Sequence, residues 1–185
     1  FLVFFSNSAH FAASTVRLYT KPRAYQDLRF LTLGLPLVTV VSLTLAIAFA
    51  PVVGRHLQAL YLTWSPYHYA AQAYGLAAMY CYRSGCPLEG ADKRLLRLSC
   101  LAPFLHAFLD SPSVGVDWFL PQSTLENPAF AGSRGVAVSI LAVATFLLPV
   151  VWYGRLALQK REAPPAISLL IVVANGLWWI TLNYL

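Results

Sequence analysis

The chain has 185 residues, of which 58% are hydrophobic and only 11% are charged. A soluble domain carries about 25% charged residues, so this composition excludes an ordinary soluble protein and predicts an integral membrane protein. The net charge of +6 comes from basic residues near the ends of apolar stretches. This placement argues against a nucleic-acid partner, which would need a basic surface patch.

Six stretches of the chain are apolar and almost free of charged residues. A bilayer core about 30 Å thick needs roughly 20 residues of helix. The stretches are too long and continuous for the short alternating strands of a membrane barrel. We therefore predict an all-α polytopic transmembrane bundle that forms a single domain over residues 1–185. Its six spans are predicted at residues 1–16, 30–53, 57–82, 93–109, 135–154 and 165–185.

The ends of the chain and its connections follow from these spans. The first span begins at Phe1 without a charged segment before it, and we expect a portion of a longer protein, truncated at both ends. A tight external turn is predicted at residues 54–56. The longest external connection, residues 110–134, contains Trp118. Such a loop can rest at the membrane interface, where Trp is favoured, or cover an external cavity as a lid.

Eleven of the thirteen Lys and Arg residues fall on one side when the connections alternate between two sides. An excess of Lys and Arg marks cytoplasmic loops. Residues 17–29, 83–97 and 155–162 are therefore predicted to be cytoplasmic, in what we expect to be a bacterial cytoplasmic membrane. Cys81 and Cys86 lie near that surface and are predicted to be free thiols, since the cytoplasm keeps thiols reduced.

Three histidines, His10, His68 and His106, lie within the predicted spans. Ionisable side chains are costly in a membrane and mark functional sites by default. Neutral imidazole is the commonest protein metal ligand and the usual axial ligand of haem. No carboxylate lies inside a span, which argues against a carboxylate-bridged di-iron site. The pattern indicates non-haem iron or another transition metal held by histidines, or haem.

Polar residues near two of these histidines are candidates for a second shell of ligands. Gln72 follows His68 by four residues and shares its helix face. Tyr74 lies in the same polar segment, and Asn7 lies close to His10. The alternative is structural, because intramembrane His, Asn and Gln can bridge helices by hydrogen bonds. The aromatic residues could equally line a pocket for a lipid or a pigment.

Two stretches, residues 7–14 and 65–75, carry an N-x-x-H-F motif and an H-Y-x-x-Q-x-Y-G motif. They resemble segments of a group of uncharacterised bacterial polytopic membrane proteins, a resemblance that implies no activity. Histidines spread over membrane helices are also similar, in residue type only, to the Brp/Blh carotenoid-cleaving dioxygenases. That remote resemblance implies a non-haem iron inside a helical bundle.

Two functions are compatible with these patterns. The first is a metal- or haem-dependent redox or oxygenase-type enzyme with an intramembrane histidine site that acts on a lipophilic substrate. The alternative is a non-catalytic accessory subunit of a larger membrane complex, which packs against partner subunits and membrane lipids and binds lipid or pigment. Bound metal would indicate the first, and a small-residue face buried only in an assembly would indicate the second.

Overall fold

The computed structural model describes a chain that is helical throughout its described part and contains no β-strand there, which confirms the all-α prediction. The described residues are 12–13, 15–111, 115–160 and 164–184, with side chains described as far as residue 159 and again over 164–179. The helices are α1 (residues 15–20), α2 (Ala24–Asp27), α3 (Leu35–Ala48), α4 (Ala50–Arg83), α5 (Gly90–Asp110), α6 (Val116–Phe119), α7 (Gln122–Leu125), α8 (Pro128–Lys160) and α9 (Ala166–Tyr184), with a π-helical segment, Phe30–Gly34, before α3.

Two of the described helical stretches are long and apolar enough to cross a membrane, Phe30–Ala48 and Pro128–Gln159. The apolar part of α9 is shorter. Helices α4 and α5 are not among these candidate spans. The structure therefore gives two candidate spans in the described residues, where the sequence predicts six.

The chain divides into two compact units, Phe1–Arg55 (unit 1) and His56–Leu185 (unit 2). Helix α4 begins in unit 1 and continues through unit 2. The single domain over residues 1–185 stays a prediction.

Unit 1 contains an apolar helix whose side chains are almost all exposed. Helix α3 has no buried residue. Pro36 has no N–H group, so the Thr32 carbonyl lacks its α-helical donor. The Tyr19 hydroxyl of α1 donates a hydrogen bond of 2.6 Å to this carbonyl. This bond satisfies a buried backbone group at the place where the π-helical segment passes into α3.

The predicted turn at residues 54–56 is wrong, since these residues lie inside α4. The helix break lies instead at Phe49, whose φ of −110° and ψ of 25° leave the helical region. Proline is favoured in the first turn of a helix, so Pro51 belongs to the start of α4 and does not end the preceding span. Gly54 does not stop the helix, because one glycine costs only about 1 kcal/mol relative to alanine.

Helices α5 and α8 of unit 2 run antiparallel along most of the length of α5. Near the start of α5, Asp92 accepts a hydrogen bond of 2.8 Å from Arg155, near the end of α8. Near the end of α5, the Leu109 carbonyl accepts a hydrogen bond from Arg134, near the start of α8. The two helices therefore lie side by side between these contacts.

Helix α9 joins both α4 and α5. Ser168 donates to the Ala77 carbonyl of α4 at 2.9 Å, and Asn175 donates to the Cys100 carbonyl of α5 at 3.0 Å. Cys81, which is a free thiol like Cys86 and Cys100, lies 3.4 Å from the Ser168 hydroxyl. Side chains of α9 thus bond to backbone groups of both neighbouring helices and to a thiol of α4.

The core of unit 2 combines small residues of α4 with large residues of α8. The buried residues of α4 recur at spacings of three and four, which places them on one helix face. Small residues on that face let helix backbones approach closely. The core cluster comprises Ala73, Ala77, Cys81, Leu88, Leu96, Cys100, Trp152, Leu156 and Val172.

Helix α8 begins at Pro128, seven residues before the predicted span, so the prediction of a loop over residues 128–134 is wrong. The Asn127 side chain accepts a hydrogen bond of 2.9 Å from the N–H of Ala129. An asparagine cap followed by proline is a strong helix start. The connection between α5 and α8 is therefore residues 111–127, and it contains α6 and α7.

The two ends of unit 2 differ in charge. At one end, here called the basic end, α4 and α8 finish and α5 and α9 begin. At the other, the loop end, α5 finishes, residues 111–127 follow and α8 begins. Among the described basic residues of unit 2, Arg134 lies at the loop end. The others lie at the basic end: Arg83, Lys93, Arg94, Arg97, Arg155 and Lys160.

Candidate functional site

The structure places two of the three histidines predicted as metal ligands. His68 lies in α4 with an exposed side chain, whereas Ala70, two residues later, is fully buried. Successive residues of an α-helix are about 100° apart around its axis, so His68 lies on the side of α4 away from the core of unit 2. His106 lies in α5 and is half-buried. His10 lies outside the described residues.

The structure describes two of the three residues predicted to lie beside the histidines. Gln72 is half-buried and lies one helical turn after His68. Tyr74 packs against the core cluster of unit 2 and is therefore part of the packing of that core. Asn7 lies outside the described residues.

The described residues contain no group of three or more His, Cys, Asp or Glu side chains that could hold a metal ion. His68 and His106 therefore do not complete such a group with described neighbours. A three-histidine site depends on His10, and the metal, haem, lipid and pigment assignments stay predictions.

The fourth histidine, His56, binds the loop end of unit 2. Its Nδ1 accepts a hydrogen bond of 3.2 Å from Nε1 of Trp118 in α6. The Trp118 ring packs against Phe119 with centroids 4.7 Å apart, and Phe119 lies 6.0 Å from Phe108 of α5. The loop that the sequence singles out for its tryptophan is thus tied to both α4 and α5.

Gly115 brings this loop close to the helices. Its φ is +66°, and a Cβ atom at this position would overlap the carbonyl oxygen of Phe108. Glycine adopts such a conformation without steric cost. The Gly115 N–H donates to Thr63 Oγ1 of α4 at 3.3 Å. Two residues later, Asp117 forms an ion pair of 2.8 Å with Arg134 of α8, so the loop is held from two sides.

A cavity of about 110 Å³ lies beside Gly115, between α4, α5 and α9. Its walls are mainly apolar and aromatic. They include Leu62 and Pro66 of α4 and Phe104, Ala107 and Phe108 of α5. None of the described residues that line it is charged, which favours an uncharged occupant.

The residues Thr63, Ser111 and Trp179 also line the cavity. Trp179 is only 5% exposed; its Nε1 is covered by protein atoms, does not face the cavity, and has no hydrogen-bond partner in the described part of the chain. Pro66 has no N–H group, so the Leu62 carbonyl lacks its α-helical donor. The cavity therefore combines an apolar body with a few polar groups, the usual character of a small-molecule site.

Sequence reasoning did not find Thr63, Ser111 or Trp179 as site residues. The available signal was the tryptophan-containing loop, for which the sequence left two alternatives, a loop at the membrane interface or a lid over an external cavity. This signal does not show that the last predicted span supplies Trp179 to the same place.

The chain thus has two candidate places for chemistry, the histidine face of α4 and the cavity at the loop end of unit 2. The first is built from exposed and half-buried polar residues, and the second from mainly half-buried apolar walls with a few polar residues. The chain matches no protein-family model, no curated protein and no solved structure.

Proposed function

We propose that this chain is a non-catalytic integral membrane protein that packs against membrane lipids and partner membrane subunits. The exposed face of α8 carries the proposal. The helix has no charged residue between Arg134 and Arg155. An exposed helix face in water is normally polar, and a large apolar one marks contact with a membrane or a partner. The exposed apolar residues at spacings of three and four are Val136, Ile140, Val143, Leu147 and Val150.

Helix α3 of unit 1 supports the same proposal independently. It has no charged and no buried residue, and side chains on every side of it are exposed and apolar. A helix that is apolar all round is typical of a membrane span. These exposed residues include Leu37, Val38, Val40, Val41, Leu43, Leu45 and Ile47.

The packing of unit 2 supports the finer proposal of a polytopic bundle. Helix α5 lies beside α8 from the Asp92–Arg155 contact to the Leu109–Arg134 contact. If α8 crosses the bilayer, the part of α5 between these contacts lies at the same depths. Residues 92–109 cover about 26 Å at about 1.5 Å per residue, close to the hydrocarbon thickness. Helix α9, which bonds to both α4 and α5, would cross with them, and so would α4.

The orientation follows from the charge difference between the ends of unit 2. We place the basic end in the cytoplasm, with residues 83–97 and 155–162, and expect residues 17–29 there as well. This matches a bacterial cytoplasmic membrane.

Two measurements test the membrane location and the orientation. We expect the protein to stay in the membrane fraction after extraction with alkaline carbonate. Gln122→Cys at the loop end should react with a membrane-impermeant maleimide in intact spheroplasts. The matched variant Leu158→Cys, exposed at the basic end, should react only after permeabilisation. Release by carbonate would refute the membrane location, and the reverse labelling pattern would refute the orientation.

The second candidate is an oxygenase-type or redox enzyme with an intramembrane histidine site. It is favoured by His68 and Gln72, which share a side of α4 that the core of unit 2 does not use. Metal analysis and an absorption spectrum of the purified protein test it, with His68→Ala beside His56→Ala as control. About one metal ion per chain or a haem band, lost only in His68→Ala, is expected for the enzyme. A colourless, metal-free protein would refute it.

A further inference from the structure

We infer that one face of α5 binds an anionic phospholipid of the cytoplasmic leaflet, with two arginines at the phosphate and three leucines along an acyl chain. The inference deepens the proposed function and rests on it for the membrane location and the orientation. The face, here called the α5 strip, comprises Arg94, Arg97, Leu98, Leu101 and Leu105.

The residues of the α5 strip lie on one side of the helix. At about 100° per residue, all five fall within a sector of about 100° around the helix axis. Four of them are exposed, and Leu101 is half-buried. The opposite side of α5 is buried and includes Asp92, Leu96, Ser99 and Pro103. The strip is therefore a side of α5 that the described part of unit 2 leaves largely uncovered.

The two arginines of the α5 strip form no ion pair with a described residue. The acids near the start of α5 act elsewhere. Asp92 is paired with Arg155 of α8 at 2.8 Å, and Glu89 attracts the ammonium group of Lys93. The strip thus presents two uncompensated positive charges at the basic end. A phosphate suits them, because a guanidinium group can bind two of its oxygens with parallel hydrogen bonds.

The length and direction of the strip favour a lipid over a soluble anion. Arg94 and Leu105 are about 17 Å apart at about 1.5 Å per residue, close to half of a hydrocarbon core about 30 Å thick. Helix side chains lean towards the N-terminus, which for α5 lies at the basic end, so the arginines lean towards the headgroups. A phospholipid with its phosphate there would lay an acyl chain along the leucines. A soluble anion would leave them without a partner.

The exposed face of α8 is apolar as well but lacks the charge of the α5 strip. It runs from Val136 to Val150 and approaches the basic end at Arg155. The guanidinium of Arg155 is already bonded to the buried Asp92 carboxylate, so a phosphate would have to compete with that group. The α8 face therefore suits lipids of any headgroup, whereas the α5 strip selects an anionic one.

The test compares two lipids that have the same acyl chains, the anionic dioleoyl phosphatidylglycerol and the net neutral dioleoyl phosphatidylcholine. Each is titrated into the protein in detergent, and native mass spectrometry measures binding of the first lipid molecule. Arg94→Gln with Arg97→Gln removes the charge of the strip, and Arg94→Lys with Arg97→Lys retains it. The matched control, Lys21→Gln with Arg23→Gln, removes the same charge from exposed residues before α2.

We expect the parent chain and the control variant to prefer phosphatidylglycerol about 25-fold, since each basic residue near an anionic headgroup gives roughly a fivefold preference. The preference should fall below about threefold in the double glutamine variant of the strip. The double lysine variant should keep about a tenfold preference, because lysine binds phosphate as a point charge.

Equal binding of the two lipids by the parent chain, or the same loss of preference in the control variant, would overturn the inference. Displacement of phosphatidylglycerol by inorganic phosphate at constant ionic strength would also overturn it, because the acyl chain would then take no part. A dimer that is lost only in the double glutamine variant of the strip would assign this face to a second copy of the chain instead. Carbonate extraction and maleimide labelling show separately whether the membrane location and the orientation hold.

Discussion

The substitution Val143→Arg distinguishes a membrane helix from a water-exposed one. Val143 is exposed in the middle of α8, 15 residues from Pro128 and 17 from Lys160. At about 1.5 Å per residue these ends are roughly 23 and 26 Å away, so the residue lies near the bilayer centre if α8 crosses it. Arg there costs about 2.5–3.5 kcal/mol, and the loss of Val adds a few tenths. The total of about 3 kcal/mol corresponds to more than a hundredfold loss of integration.

The assay is the carbonate-resistant fraction of Val143→Arg compared with Leu158→Arg. Leu158 is 83% exposed but lies at the end of α8 beside the basic end, where an arginine can reach the interface. We expect Leu158→Arg to integrate like the parent chain and Val143→Arg to fail. On a helix exposed to water, both substitutions would change stability by less than about 0.5 kcal/mol. If Val143→Arg integrates and unfolds like Leu158→Arg, the lipid-facing assignment of α8 is wrong.

Three further predictions concern stability, each measured by thermal or denaturant unfolding in detergent. Arg155→Leu leaves the buried Asp92 carboxylate without its partner and should lower the free energy of unfolding by about 1–3 kcal/mol. The double variant with Asp92→Asn should recover part of this loss, and an equal loss in the single and double variants would contradict the argument. Gly115→Ala should destabilise the protein by about 1–3 kcal/mol, because the residue has a positive φ and the added Cβ would overlap the Phe108 carbonyl oxygen. Gly132→Ala, in open space on α8, should stabilise it slightly, and similar effects at both positions would refute the argument. Asn127→Ala should cost about 1 kcal/mol by loss of the α8 cap, Asn127→Asp should retain most of it, and equal loss in both would count against the cap.

Much of the helical architecture could be predicted from composition and from the length of the apolar stretches. The predicted spans at residues 93–109 and 165–185 lie close to α5 and α9. The errors occur where a local sequence signal is compatible with two different structures. Pro51 can follow one helix or begin the next, and Asn127 with Pro128 looks like a loop until the cap geometry is seen. Hydropathy alone does not decide between such alternatives.

The candidate sites differ in how far sequence reveals them. Histidines in apolar stretches are visible by residue type, but their helix faces are not. The side of α4 that carries His68 becomes known only once Ala70 and its neighbours are seen to be buried. The cavity depends on contacts between distant parts of the chain, such as Gly115 with Thr63, 52 residues apart. No local pattern encodes a contact of this kind.

Charge and packing at the loop end together link the proposed orientation to the character of the cavity. The basic residue there, Arg134, is used by Asp117 and by the Leu109 carbonyl, so it holds the loop and is not available to a ligand. The other described basic residues of unit 2 lie at the opposite end, where they can face the cytoplasm and anionic headgroups. If the proposed orientation holds, the cavity lies in the outer half of the bilayer. A molecule that reached this depth through lipid would have to be uncharged, which agrees with a cavity that no described charged residue lines.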